Sequence, residues 1–237
     1  RAPRLVAQIV PAPHTLAFDR TIVELIGAGY IGELISLDAR VSMAGFPNAD
    51  SDITWRQNRD LSGNNIMAMG IWYEAMMRWV GPAASVLATG QSVVAHRVGA
   101  NGQRVSMTIP DHVDINGRLE QGGQMRFCFS SVAGHAPNNA EVYFFGTEGT
   151  MCLQQDKSGA FSLSAGKRGE DGLSPVKIDP AKSGAWRVEE EFINAIRGKE
   201  AVTHTDFATG VKYMEWTDAV ALSIRHRKAI NMPLTEG

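Results

Sequence analysis

Side chains able to do chemistry concentrate in one stretch, "SGNNIMAMGIWYEAMMRWVG" (62–81), and in the polar segment "TWRQNRD" (54–60) before it. The stretch has the apolar load of a buried helix, yet it holds two adjacent aromatics, Trp72 and Tyr73, and an isolated charged pair, Glu74 and Arg78. Trp72 suits stacking against the apolar face of a sugar ring, or simply filling space. Tyr73 and Glu74 offer a proton acceptor if they turn toward a pocket. Tyr73 otherwise belongs to the core stripe, and Glu74 with Arg78, four residues on, makes a surface pair. Asn64 and Asn65 can cap the helix or touch a ligand. Arg56 and Arg59 present guanidinium groups that match carboxylates, on a loop that could equally be only solvated. His135, in "AGHAPNN", stands where a pocket rim would be or is merely exposed. His14, His96, His112, His204 and His226 make no metal-ligand spacing. Cys128 and Cys152 sit in strand-like runs as reduced, buried thiols, and their spacing fits neither a zinc site nor a redox pair. No metal site is expected.

The elements that must position these groups follow from patterning. The 237 residues, 44% hydrophobic and 20% charged, can bury a substantial core. A net charge of -2 gives no footprint for nucleic acid or an anionic membrane, and no apolar run approaches a membrane span. "LVAQIV" (5–10) reads as a short strand, and a helical stripe of Ile22, Val23, Leu25 and Ile26 stops at Gly29. A strand follows in 30–43, then a long polar loop over 44–63, and the helix over roughly 64–80. Short alternating runs between 85 and 166, split by glycine-bearing turns, predict an antiparallel sheet. "KRGEDGLSPVKIDPAKSG" (167–184) reads as a surface loop. Two helices close the chain. In 186–198, Val188, Phe192, Ile193 and Ile196 share a face, and in 206–230 Asp206 is placed to cap. Helices before and after a block of strands give an α+β fold, an open, mostly antiparallel sheet with helices on one face. The other face would expose Phe127, Phe129, Tyr143 and Phe145, which predicts a homodimer or tetramer packed through it. No GxGxxG or Walker sequence is present, and Gly146 and Gly149 read as a hairpin turn.

Four blocks in order carry a resemblance. "IVELIGAGYIGEL" (22–34), the 62–81 stretch, "EVYFFGTEGTMCLQ" (141–154) and the tail from "EEEFINAIRG" (189–198) to "NMP" (231–233) resemble the C-terminal domain of the glucose-fructose oxidoreductase / inositol dehydrogenase / rhizopine-catabolism (Gfo/Idh/MocA) family. The resemblance implies that all of 1–237 is one substrate-binding and oligomerisation domain. It also implies that the N-terminal Rossmann domain, with its NAD(P) site and catalytic lysine, is absent from this chain. NAD or NADP is then the cofactor of the full-length parent, none is expected on the fragment, and the protein is cytoplasmic. Aligned on Gly70, the family's histidine falls on Trp72 and its two aspartates on Ala68 and Ala75, so no catalytic residue is secure on this helix.

Three functions compete at this stage. The first is the substrate and oligomerisation domain of an NAD(P)-dependent oxidoreductase acting on a sugar, polyol or related small molecule, inactive alone. The second is a catalytically degenerate relative that binds a small molecule or serves as a scaffold. The third is an interaction module built on the sheet face. In each enzyme-like case Trp72 would sit partly exposed at the edge of a cleft formed with the 44–63 loop.

Overall fold

The structure is a computed structural model that describes residues 5–43, 45–99, 101–202 and 206–234. Its elements run α1 (Leu16–Gly27), β1 (Leu34–Ser42), α2 (Arg59–Ser62), α3 (Met69–Val80), β2 (Ala83–Gln91), β3 (His96–Val98), β4 (Arg104–Ser106), β5 (His112–Leu119), β6 (Gln124–Ser130), β7 (Ala140–Gly146), β8 (Gly149–Gln155), β9 (Phe161–Lys167), β10 (Ser174–Pro175), α4 (Val188–Ile196), α5 (Phe207–His226) and β11 (Ile230–Asn231). Single 3-10 turns lie at Trp55–Gln57 and Ile66–Ala68. Nine strands form one sheet in the order β10-β9-β8-β7-β1-β6-β5-β2-β11, and β3 pairs with β4 apart from it. Only β1 and β6 run parallel; the other neighbours are antiparallel. The fold is therefore α+β with a large, mostly antiparallel sheet.

Strand alternation decides what each face buries. Met125, Phe127 and Phe129 of β6 and Val142 and Phe144 of β7 are buried beneath the helices. Phe127 packs 6.2 Å from Trp216 of α5, and Phe144 lies 5.5 Å from Trp79 of α3. Tyr143 and Phe145 point the other way and stack on each other at 5.4 Å. The expectation that all four aromatics share the open face is thus corrected: Phe127 and Phe129 are each 1% exposed, in the core. The open face is mostly polar, lined in its middle by Asp38, Arg40, Asp114, Asn116, Arg126 and Glu141.

Two further expectations change. Residues 5–10 form no strand. Gln8 instead donates to buried Glu191 of α4 at 2.8 Å, and Ile9 lies against Gly210 of α5, so the segment is held by two helices. Helix α4 does form, but Phe192, Ile193 and Ile196 are exposed while Glu191 is buried. Its apolar stripe faces away from the core. Helix α5 begins as expected, with the Asp206 side chain accepting from the Thr209 amide at 2.7 Å. His204 lies outside the described residues.

Candidate functional site

The site begins with a kink. The sequence pattern predicts helix from about residue 64, but α3 starts at Met69 because Met67 (φ 50°) and Ala68 (φ 57°) are both left-handed. Consecutive non-glycine residues in that region are uncommon and strained. The kink takes 65–68 off the helix axis and puts Met67 and Ala68 on the wall of a cleft of about 410 Å³. Asn65 Oδ1 accepts from the Gly70 amide at 3.0 Å and so tethers the start of α3, and Asn64 Nδ2 donates to Asp218 of α5 at 2.8 Å. Neither asparagine lines the cleft.

Helix α3 is buried on both faces. The stripe of Ile66, Met69, Gly70, Tyr73, Met76 and Val80 is core, but Ala75 and Trp79 are buried too. Of the face 65, 68, 72, 75 and 79, only Ala68 and Trp72 reach the cleft. Trp72 is 4% exposed: it walls the cleft while packing into the core, rather than standing partly exposed at its edge. Tyr73 turns away from the cleft. Its ring stacks on Trp216 at 4.1 Å, its hydroxyl accepts from the Ala83 amide at 2.8 Å, and burial raises its pKa. It is a core residue and no proton acceptor.

Glu74 and Arg78 correct the surface-pair expectation. Glu74 is buried, accepts from the Ala12 amide at 2.8 Å and pairs with Arg78. Arg78 donates to Thr15 Oγ1 at 3.0 Å and to Asp19 at 2.7 Å, while Trp79 Nε1 also donates to Asp19 at 2.7 Å. Both charges hold the segment 12–19 onto α3. That segment delivers His14 to the cleft, its ring centroid 4.5 Å from that of Trp72 and 6.0 Å from that of Phe161.

His14 is the cleft-lining residue that the sequence patterns did not single out. No spacing within 5–20 marks it; the signal is an ion-pair network that closes only in three dimensions. Its pKa is lowered first by burial and next by the Arg78 charge, partly offset by Asp19 and Glu74. The ring is therefore neutral at pH 7. Its Nε2 is buried and has no hydrogen-bond partner among the described residues. His14 lines the cleft with its ring neutral, although Nε2 itself is closed off from it by burial.

The opposite wall comes from the expected loop. Thr54, Arg56 and Gln57 line the cleft, and Gln57 holds the turn by accepting from the Thr54 amide at 2.7 Å. Arg56 lies over the Trp55 ring, its carbon 4.3 Å from the centroid, and makes no hydrogen bond or ion pair among the described residues. Asp111 also lines the cleft, but its carboxylate accepts from the amides of Val93 and Val94 at 2.7 and 2.9 Å. Arg97 is likewise engaged, by Asn48 and Ser51. Arg59 donates weakly to the Thr108 carbonyl at 3.4 Å, and exposed His135 packs edge-on against Phe46 at 4.9 Å. Neither lines the cleft.

A family description, the GFO/IDH/MocA C-terminal domain, matches residues 20–152, more than half of the chain. The chain belongs to the GFO/IDH/MocA family. Solved structures agree in fold. A levoglucosan dehydrogenase in complex with NADH and levoglucosan is 18% identical, with a TM-score of 0.80, covering 97% of this chain and 67% of that one. An NAD-binding oxidoreductase from Klebsiella pneumoniae is 16% identical, with a TM-score of 0.76, covering 94% and 65%. The transcriptional regulator Gal80p from Kluyveromyces lactis is also 16% identical, with a TM-score of 0.71, covering 92% and 60%. The chain thus spans about two thirds of the length of the structures it matches. No curated protein matches it. No helix among the described residues is long and apolar enough to cross a membrane.

Proposed function

We propose that the cleft is the substrate site of an NAD(P)-dependent oxidoreductase acting on a sugar, polyol or related small molecule, with His14 as the proton acceptor. The observation that carries this reading is the neutral His14 imidazole that lines the cleft beside Trp72. Alcohol oxidation needs a group to take the hydroxyl proton, and the family's histidine position is occupied by Trp72, which has only an N–H donor. His14 supplies the missing acceptor from another segment. Trp72 gives a flat apolar wall for a sugar face, and Arg56, with no ion pair among the described residues, gives a cation for an anionic or hydroxyl-rich end. A cleft of about 410 Å³ is of small-molecule size.

The described residues hold no βαβ unit opening on a glycine-rich turn, so no cofactor step is assigned to them. On this reading the hydride acceptor belongs to a dinucleotide-binding half, and the chain contributes binding, orientation and proton removal. The same reading makes the protein cytoplasmic and a homo-oligomer through the open sheet face, which carries Leu87, Tyr143 and Phe145 among its polar side chains.

The test uses the protein that contains both halves, assayed for NAD(P)H formation against a panel of sugars and polyols. His14→Gln should lower kcat/KM by about a hundredfold or more, the size of a general-base contribution, with substrate binding retained. Unchanged kinetics would remove His14 from the role. Ligand binding with no turnover in the parent would favour a second reading, a catalytically degenerate binding or scaffold protein. The likeness to Gal80p and the alanines at 68 and 75 support that alternative.

A further inference from the structure

The charges on the wall of the cleft do not balance. Its ionisable groups are Arg56, Arg97, Asp111 and the neutral His14. Arg97, on β3, is 8% exposed, and no carboxylate pairs with it among the described residues. Its Nη1 donates to the Asn48 carbonyl at 3.0 Å and to Ser51 Oγ, both uncharged acceptors. Arg56 likewise has no ion pair among the described residues. Asp111 brings one negative charge, and its two oxygens accept from the amides of Val93 and Val94. Two guanidiniums therefore stand against one carboxylate. Resting on the reading of the cleft as a substrate site, we propose that the substrate is a hydroxy acid, its carboxylate held by Arg56 and its alcohol carbon lying toward His14 and Trp72.

The surroundings make the imbalance matter. A guanidinium does not give up its proton in a protein, and its field is weakly screened beside apolar groups. Val41, Met67, Ile71, Ile109 and Phe129 supply such groups on the same wall. A buried cation without a counter-charge is unfavourable, and an anionic ligand offsets it where a neutral polyol does not. Arg56 is the group placed to touch that anion. Its carbon sits 4.3 Å over the Trp55 ring, and stacking of this kind fixes the plane of a guanidinium fork, whose paired N–H groups match a carboxylate. Asp50 and Asp52 of the same loop are exposed and off the cleft wall. One positive charge in excess suits a carboxylate better than a doubly charged phosphate.

The remaining polar groups narrow the choice further. Gln57, Asp111 and Arg97 are engaged within the protein, by Thr54, by the amides of Val93 and Val94 and by Asn48 and Ser51. A substrate with many hydroxyls finds few partners here, whereas a carboxylate finds one prepared. Arg56 and His14 stand on opposite walls, so a molecule that fills the cleft presents its acid end to one and its alcohol to the other.

The experiment compares matched ligands on the protein that contains both halves. Gluconate, galacturonate and mandelate are each titrated beside their amides by calorimetry, with glucose 6-phosphate as the phosphate probe, and turnover is followed as NAD(P)H formation. At least one acid is expected to bind about tenfold or more tightly than its amide. Arg56→Gln should bring that pair to equal affinity, and Arg56→Lys, which keeps the charge and loses the fork, should retain part of the difference, with circular dichroism unchanged in both. Equal affinity for acid and amide throughout the panel, no binding by any acid, a preference for the phosphate, or an acid preference that survives Arg56→Gln would each overturn the proposal. The reading beneath it fails differently. Arg56-dependent acid binding without NAD(P)H formation would remove the oxidoreductase and keep the anion site, while His14-dependent oxidation of amides as fast as acids would do the reverse.

Discussion

At the scale of single residues, His14 is the titratable group on the cleft wall whose setting matters most to the proposed chemistry. Burial and the Arg78 charge lower its pKa, and its buried Nε2 has no partner among the described residues. The sign of the linkage follows. At pH 7 the imidazole is neutral in both folded and unfolded chains. As pH falls below the ordinary value of 6.5, the unfolded chain takes a proton that the folded ring resists. Stability should therefore decline between pH 7 and pH 5, and His14→Gln should flatten that decline. Urea unfolding at a series of pH values measures it, and equal slopes in the two proteins would refute the buried-neutral description. Nothing in the local sequence distinguishes His14 from an exposed loop histidine; only the carboxylates and guanidinium that gather around it do.

At the scale of elements, two features decide whether the cleft exists. The first is the Asp19–Arg78–Glu74 network that fastens 12–19 to α3. Arg78→Met would leave two carboxylates in a largely buried setting without their cation, and should cost about 3–5 kcal/mol in denaturant unfolding. A loss under 1 kcal/mol would show that the segment is held some other way. The second is the left-handed pair Met67 and Ala68. A left-handed L-residue is strained by about 1–2 kcal/mol, so Ala68→Gly should stabilise the protein by about 1 kcal/mol. The same measurement reading a net loss would contradict the kinked entry to α3. The pattern of 62–81 showed a helix with a buried stripe, but could not show where it bends, because the bend is set by the Asn65 and Asn64 tethers to Gly70 and to α5.

At the scale of the whole molecule, the distribution of apolar surface departs from a simple inside-outside sorting. The open sheet face is polar, while α4 and the first half of α5 present Phe192, Ile193, Ile196, Phe207 and Val211 to solvent. Ile196 is 61% exposed and Val211 64%. Replacing either with Glu should move the unfolding free energy by no more than about 0.5 kcal/mol, as for other surface positions. A loss of 2 kcal/mol or more would mean that these helices bury their apolar side within the chain itself.

The sequence by itself determined the class of the fold, most of the strands, the loop that walls the cleft and the family. These follow from periodicity, turn residues and ordered blocks, which are local signals. It placed Trp72 and Arg56 on what became the cleft wall. It misplaced Phe127 and Phe129, because an alternating strand shows that two faces differ without saying which one the helices cover. It read Glu74 and Arg78 as a surface pair, because an i, i+4 spacing looks the same whether solvent or another segment lies above it. Tertiary structure alone decided that His14 meets Trp72 and that Arg97 joins Arg56 on the cleft wall. Both encounters join residues distant along the chain, through a buried ion-pair network in one case and the Arg97 contacts to Asn48 and Ser51 in the other, and neither leaves a trace in local spacing.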